Sequence, residues 1–379
     1  MLASALGRTD PHDDFPAEPM RLDQLDSLRG LAALAVVFGH CLDVLPAFGT
    51  KPYSGPRTWL WVVLKQSPLE VLRDGHAAVL VFFVLSGLVL SMPFLQGRAP
   101  AYRVFVIKRV LRLYPPYASA LLLAAVLQTA FAARLPRGLS DWLTHANWAE
   151  PLTAQAALDY ALMLGGRISL DNPVWSLDYE MRVSLVLPLL LLPMLRWGAA
   201  GAIGTGVAML SVGGFLLNLG SPGIPQAVGQ TCLYGAMFML GALLARRTGR
   251  LQALRLPSLS LWLLLLAWVI FYVCWRDTML AAGAAALIAA VLVPGPAQRL
   301  CGLAPARFLG RISYSLYLIH VPVLLTLLSA LHGILPVPVI LLLCPPAAIL
   351  AGVAFHAIVE APSHKLSRLV GRRRLLPAN

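Results

Sequence analysis

Stretches of about 20 apolar residues, nearly free of charge, recur along the chain near 28–46, 76–96, 112–133, 174–196, 198–219, 228–246, 257–275, 278–294, 312–331 and 336–360, and this recurrence limits what it can fold into. Inside hydrocarbon every backbone N–H and C=O needs a partner within the chain, so stretches of this length cross a bilayer as helices. The eighth stretch is short. Segment 153–165 is apolar but too brief to cross, and a re-entrant or interfacial piece is expected there. The predicted fold class is an all-α membrane protein of about ten transmembrane helices in a single bundle, with the membrane domain at 25–362, an N-terminal tail at 1–24 and a basic tail at 363–379.

The composition agrees. Of 379 residues, 58% are hydrophobic and 12% charged, and the mean hydropathy is +0.74, against about 25% charged residues in a soluble domain. The net charge of +13 is spread in short clusters between apolar runs, without the continuous basic patch that nucleic acid would need, so no nucleic-acid partner is expected. Asp10, Asp13, Asp14 and Glu18 precede the first span where a cleavable signal would be basic, and the first helix is expected to remain as an anchor. Cys41, Cys232, Cys274, Cys301 and Cys344 lie in or beside apolar segments with no CxxC spacing. They read as small buried hydrophobes, and no metal site is expected.

An even number of spans puts both termini on one side. The clusters Arg98/Arg103/Lys108/Arg109/Arg112, Arg246/Arg247/Arg250, Arg299/Arg307/Arg311 and Lys365/Arg368/Arg372/Arg373/Arg374 all fall on that side, which marks it as cytoplasmic. The outer side keeps a few basic residues, among them Lys51, Arg57, Lys65, Arg73, Arg134, Arg137 and Arg167, so the bias is clear without being absolute. Two long outer loops, 47–75 and 134–173, mix tryptophan with charge: Trp59, Trp61 and Glu70 in one, Trp142, His145, Trp148 and Glu150 in the other. Such residues suit a headgroup interface and also suit stacking on a sugar ring. The basic tail suits anionic lipid.

Ionisable residues inside spans are costly and persist where function needs them. In "LDSLRGLAALAVVFGH", residues 25–40, Arg29 and His40 are eleven apart, which is about 1100° and about 16 Å on a helix, so they share a face at opposite depths. Separately they read as a snorkelling anchor and a packing residue; in phase they point to function. "RVFVIKRVLRLYPPY", residues 103–117, places Arg109 and Arg112 on one side of a helix, where guanidinium forks fit phosphate oxygens. The alternative is an ordinary basic loop. "DNPVWSLDYEMRVSLVLPLL", residues 171–190, brings Ser176 next to Glu180 and Asp178 next to Arg182, the latter a possible ion pair. Helix-dipole effects explain Asp178, whereas Glu180 is deep enough to need a partner. In "HAAVLVFFVLSGLVLS", Ser86–Gly87 reads as a close helix contact, and in "LGRISYSLYLIHVPV" His320 reads as a packing residue.

These motifs, in this order and at these span edges, resemble acyltransferase family 3 of membrane proteins from about Leu25 to Pro362. The resemblance implies a ten-helix bundle that moves an acyl group, commonly acetyl, from cytosolic acyl-CoA as donor substrate to a hydroxyl of a carbohydrate or lipid-linked glycan. It implies His40 as the essential histidine, Arg29 as its paired arginine, Arg109 and Arg112 as the coenzyme A site, and Glu180 as the acid of the WSL motif. A bacterial inner membrane is the implied location. Many relatives carry an acid where this chain has Leu80, which leaves Asp43 or Glu180 to orient His40.

Acyl transfer to an alcohol needs a phosphate site, a base and oxyanion donors. Arg29, Arg109, Arg112 and Lys108 supply the first and His40 the second. Ser176, Trp175 and Tyr114 offer donors, and Asp43, Trp175 and Ser176 are expected to face the acceptor. Direct transfer and an acyl-enzyme route both fit. The competing class is a proton-coupled transporter or flippase of an anionic substrate, with the arginines binding it and His40 and Glu180 relaying protons. Paired broken helices, the mark of such folds, are not visible in the sequence. From the arginine clusters, an export-dependent phosphatase reporter fused after Asn379 is expected to be silent; activity would reverse the topology.

Overall fold

A computed structural model of the protein describes residues 23–48, 55, 59–136, 138–164, 169–221 and 223–370. Asp10, Asp13, Asp14, Glu18, Lys51, Arg57, Arg137, Arg167, Arg372, Arg373, Arg374 and the His145 side chain lie outside the described residues.

All ten apolar stretches fall on helices: α1 Asp23–Asp43, α2 Gly75–Leu95, α3 Tyr102–Phe131, α4 Trp175–Leu190, α5 Ala199–Asn218, α6 Ile224–Ala253, α7 Pro257–Val273, α8 Asp277–Leu292, α9 Ala304–Leu331 and α10 Val337–Phe355. A five-residue π turn, His356–Glu360, joins α10 to a final helix, α11, Ala361–Leu369. Seven of these segments are long and apolar enough to cross a bilayer: α1, α2, α3, α5, α6, α9, and α10 with its continuation. The other three are shorter: α7 has 17 residues, α8 has 16, and α4 has 16 with the charged WSLDYE turn at its start. Large apolar side chains stay exposed along the outside, among them Phe215, Trp262, Leu342 and Leu350, as a surface facing lipid requires.

Two backbone contacts set the interior. A Cβ on Gly30 would lie 2.3 Å from the Gly310 nitrogen, and one on Gly310 would lie 2.6 Å from the Asp26 oxygen, so this backbone approach of α1 and α9 requires glycine on both. Between α2 and α6, a Cβ on Gly87 would lie 2.2 Å from the Phe238 oxygen, and one on Gly241 would lie 2.0 Å from the Val84 oxygen. Small residues let apolar helices approach to full van der Waals contact in lipid, where no hydrophobic effect drives them together. The close-contact reading of Gly87 therefore holds.

The short helix Ala154–Ala161 within the expected interfacial segment docks on α3: Tyr114 donates to the Ala161 carbonyl at 2.8 Å and Tyr117 to that of Tyr160 at 2.9 Å. Residues 363–369, expected in the basic tail, instead belong to the bundle. Ser363 donates to the Leu111 carbonyl, and Ser367 donates to that of Lys108 at 2.9 Å. Of the cysteines, Cys41, Cys301 and Cys344 are buried and Cys232 and Cys274 half-buried, all with free thiols.

Gly30→Ala places an atom where backbone already sits, and is expected to cost about 1–3 kcal/mol or more through overpacking. Gly204→Ala, on α5 where nothing lies within 4 Å, is the control and is expected to be neutral or slightly stabilising. Thermal unfolding in detergent compares the two, and equal midpoints would remove the contact from its structural role.

Candidate active site

The functional residues divide between two cavities at opposite ends of α1. The first, about 410 Å³, opens at the end that carries the start of α1 and is strongly basic, with Arg29, Arg109, Arg112, Arg311, Lys365 and Arg368 on its walls. The expected arginines are thus brought together, while Lys108 is not among the lining residues. Arg311 comes from the first turns of α9, and Lys365 and Arg368 from α11.

A buried carboxylate holds α11 in place. Glu360, at the end of the π turn, accepts from the Ser315 amide at 3.2 Å and its hydroxyl at 2.5 Å, and pairs with His356 Nδ1 at 2.9 Å. A π turn shifts the helical phase by one residue, and such turns cluster at functional sites. Here it sets the face of α11 that meets the cavity. The sequence reading missed Glu360, Lys365 and Arg368; the signal available was a glutamate in an apolar run, followed by cations at helical spacing.

Arg109 and Glu180 form a pair within the same cavity wall. Both are buried, and Arg109 donates to Glu180 Oε1 at 2.5 Å. Its Nε donates to Ser184 at 3.0 Å, and Ser86 donates to the same Glu180 oxygen at 2.8 Å. Glu180 has the partner its depth demands, and that partner is an arginine rather than His40. Arg112 has no carboxylate within ion-pair distance among the described residues. Arg29 has only a 3.9 Å contact with Asp26.

The second cavity, about 530 Å³, lies at the other end and contains His40, Asp43, Trp175 and Tyr317, with Glu70 and Asp74 beside them. Trp175 stacks on His76, whose Nε2 meets Asp277 at 2.8 Å. Arg73 also lines this cavity, bonded to Glu70 at 2.5 Å and to the Leu64 carbonyl at 2.8 Å. His40 has no hydrogen bond to Asp43. Its Nδ1 instead meets Nε2 of His320 at 3.1 Å, and the two rings stack with centroids 5.1 Å apart. Trp142 covers the His40 ring at 5.0 Å.

These contacts correct two expectations. Neither Glu180 nor Asp43 holds the His40 ring, because Glu180 is committed to Arg109 and Asp43 only shares the cavity. His320 is buried with both ring nitrogens hydrogen-bonded, as a packing histidine would be, and one of its partners is His40. Asp178 and Arg182 do not pair, since Asp178 accepts from Tyr117 at 3.4 Å and Arg182 donates to the Met163 carbonyl at 2.6 Å. The loop tryptophans also divide: Trp59 is exposed, while Trp61 and Trp148 are buried and Trp142 meets His40.

The two cavities share a wall. Val79 and Tyr317 line both, and the Tyr317 hydroxyl lies 2.7 Å from that of Ser176, which faces the basic cavity. Tyr317 also donates to the Pro173 carbonyl at 3.0 Å. Nearby in the chain, Asp171 is buried, and among the described residues neither of its oxygens has a hydrogen-bond partner. Burial pushes its carboxyl well above the usual carboxylate range.

The sequence pattern of a family described as an acyltransferase domain matches residues 22–356. The chain belongs to this acyltransferase family. It is similar to protein 2 in the picA locus of Rhizobium radiobacter, with 29% identity over 211 residues that make up 52% of this chain and 94% of that protein. It is also similar to nodulation protein 10 of Rhizobium leguminosarum bv. viciae, with 26% identity over 198 residues, 50% of this chain and 49% of that protein. No solved structure matches. The protein is an integral membrane O-acyltransferase, and the transporter reading gives way to that membership.

The buried pair generates a test. Glu180→Ala leaves Arg109 buried without its counter-charge, which is expected to cost about 3–5 kcal/mol of stability, whereas Arg109→Met with Glu180→Leu recovers most of that loss. Thermal unfolding of the acyltransferase variants measures it. A double variant as unstable as Glu180→Ala would mean that the pair is not the unit.

Proposed function

We propose that the enzyme takes an acyl group, commonly acetyl, from cytosolic acyl-CoA held in the basic cavity and delivers it to a hydroxyl of a carbohydrate or lipid-linked glycan held in the opposite cavity. The carrying observation is the wall that the cavities share at Val79 and Tyr317. A donor entering one end and an acceptor entering the other would meet there.

In this reading Arg112, with Arg29, Arg311, Lys365 and Arg368, holds the phosphates of coenzyme A through charge-assisted hydrogen bonds. Arg109 shapes that wall as the partner of Glu180. His40 takes the proton from the acceptor hydroxyl as its oxygen attacks the thioester carbonyl. The C–S bond then breaks, and the coenzyme A thiolate leaves and recovers the proton. Ser176 and Tyr317, beside that wall, carry hydroxyls that would have to turn from each other and from the Pro173 carbonyl to donate to the developing oxyanion. Trp175, Tyr272 and Trp275 offer faces for a sugar ring, and Asp43, Glu70 and Asp74 offer acceptors for its hydroxyls. The arginine clusters favour a cytoplasmic basic cavity and cytoplasmic termini, in a bacterial inner membrane with lipid around the bundle.

The reading separates binding from chemistry. Arg112→Ala is expected to weaken acyl-CoA binding about 10–100-fold, since a hydrogen bond to a charged group contributes about 1.5–3 kcal/mol. His40→Ala is expected to abolish transfer while acyl-CoA binds as before. Calorimetric binding and thioester turnover on both variants decide it. Substantial transfer by His40→Ala, or unchanged affinity in Arg112→Ala, would reject the respective assignment.

A further inference from the structure

We infer that His320 is a positioning residue that fixes the tautomer of His40, an inference that rests on the reading of His40 as the base. Nδ1 of His320 lies 2.8 Å from the Tyr317 carbonyl and 3.2 Å from that of Leu316. Carbonyl oxygens only accept, so this nitrogen carries the hydrogen. A neutral imidazole has a single N–H, and Nε2 of His320 is therefore the acceptor. It faces Nδ1 of His40 at 3.1 Å, and the bond between them needs the hydrogen on His40 Nδ1. Nε2 of His40 is left with its lone pair, the form that can take a proton from a hydroxyl.

The hydrogen-bond chain runs one way, from His40 through His320 to the backbone of α9, and its end is fixed by carbonyls that cannot reverse. When His40 gains a proton at Nε2, its Nδ1 remains a donor, and the bond to His320 becomes charge-assisted. His320 thereby fills the orienting place that a carboxylate holds in hydrolytic triads, without a second charge. It is buried, and no carboxylate is bonded to either ring among the described residues. The stacked geometry also limits rotation of His40 about its side-chain torsions.

The test compares His320→Gln with His320→Met, two side chains of similar length, in the full chain in detergent with acetyl-CoA and an oligosaccharide mixture, or with thioester hydrolysis when no acceptor is used. Gln presents a carbonyl oxygen to His40 Nδ1–H, and Met presents no comparable acceptor. His320→Met is expected to lower kcat about 10–100-fold, the range that applies when a partner orienting a metal-bound histidine is lost, with KM for acetyl-CoA unchanged. His320→Gln is expected to recover most of the loss. Equal kcat for the two variants, or a Met variant at full rate, would overturn the assignment, as would a defect confined to KM. The base reading fails separately: if His40→Ala retains transfer, the base itself is wrong, whereas an inactive His40→Ala beside a fully active His320→Met rejects only the role of His320.

Discussion

The backbone contact between Gly30 and Gly310 sets the register of α1 against α9, and the rest of the site depends on it. The two helices run parallel: ten residues beyond each glycine stand His40 and His320, which meet at 3.1 Å. Ten residues is about 15 Å of helix, so the glycine contact at one depth and the histidine contact at another are the two ends of a single alignment. Side chains at the glycine positions would separate the helices where their backbones now touch, and no side-chain adjustment could restore the histidine bond.

The polar interior is divided by how its charges are satisfied. Glu180 and Arg109 neutralise one another with Ser86 and Ser184 as further partners, and an internally compensated group of this kind is inexpensive to bury only while it stays complete. Glu360 does the same for the far end of the chain, drawing together Ser315 and His356 so that α11 lies across the start of α3. Arg112, Arg311, Lys365 and Arg368 are thereby left around one cavity with cations in excess, whereas the cavity at the other end carries carboxylates and aromatic faces. The enzyme's two ends differ in charge, and Tyr317, bonded to Ser176, stands in the wall between them.

Much of this was legible in the sequence, and the part that was not has one cause. Apolar length found the helices because the requirement to satisfy backbone groups in lipid acts within each segment. The eleven-residue spacing correctly set Arg29 and His40 at different depths, and each now lines a different cavity. Pairing between helices leaves no such local trace. Glu180 was recognised as needing a partner, yet nothing in the WSLDYE stretch identifies Arg109, 71 residues earlier. His320 sits among leucines and valines, and only the register with α1 turns it towards His40. Lys365 and Arg368 resemble an ordinary basic tail until the π turn and two serine bonds dock them.

In the proposed mechanism the basic cavity and the His40 cavity open on opposite faces of the membrane. Arg368 lines the first, and Trp275, which is exposed, lines the second. With the native cysteines replaced, Arg368→Cys and Trp275→Cys report on each cavity through a membrane-impermeant maleimide applied to intact cells and to inverted vesicles. Trp275→Cys should label in cells, and Arg368→Cys only in inverted vesicles, with coenzyme A protecting Arg368→Cys alone. Labelling of both from the same face, or protection of Trp275→Cys by coenzyme A, would contradict the account.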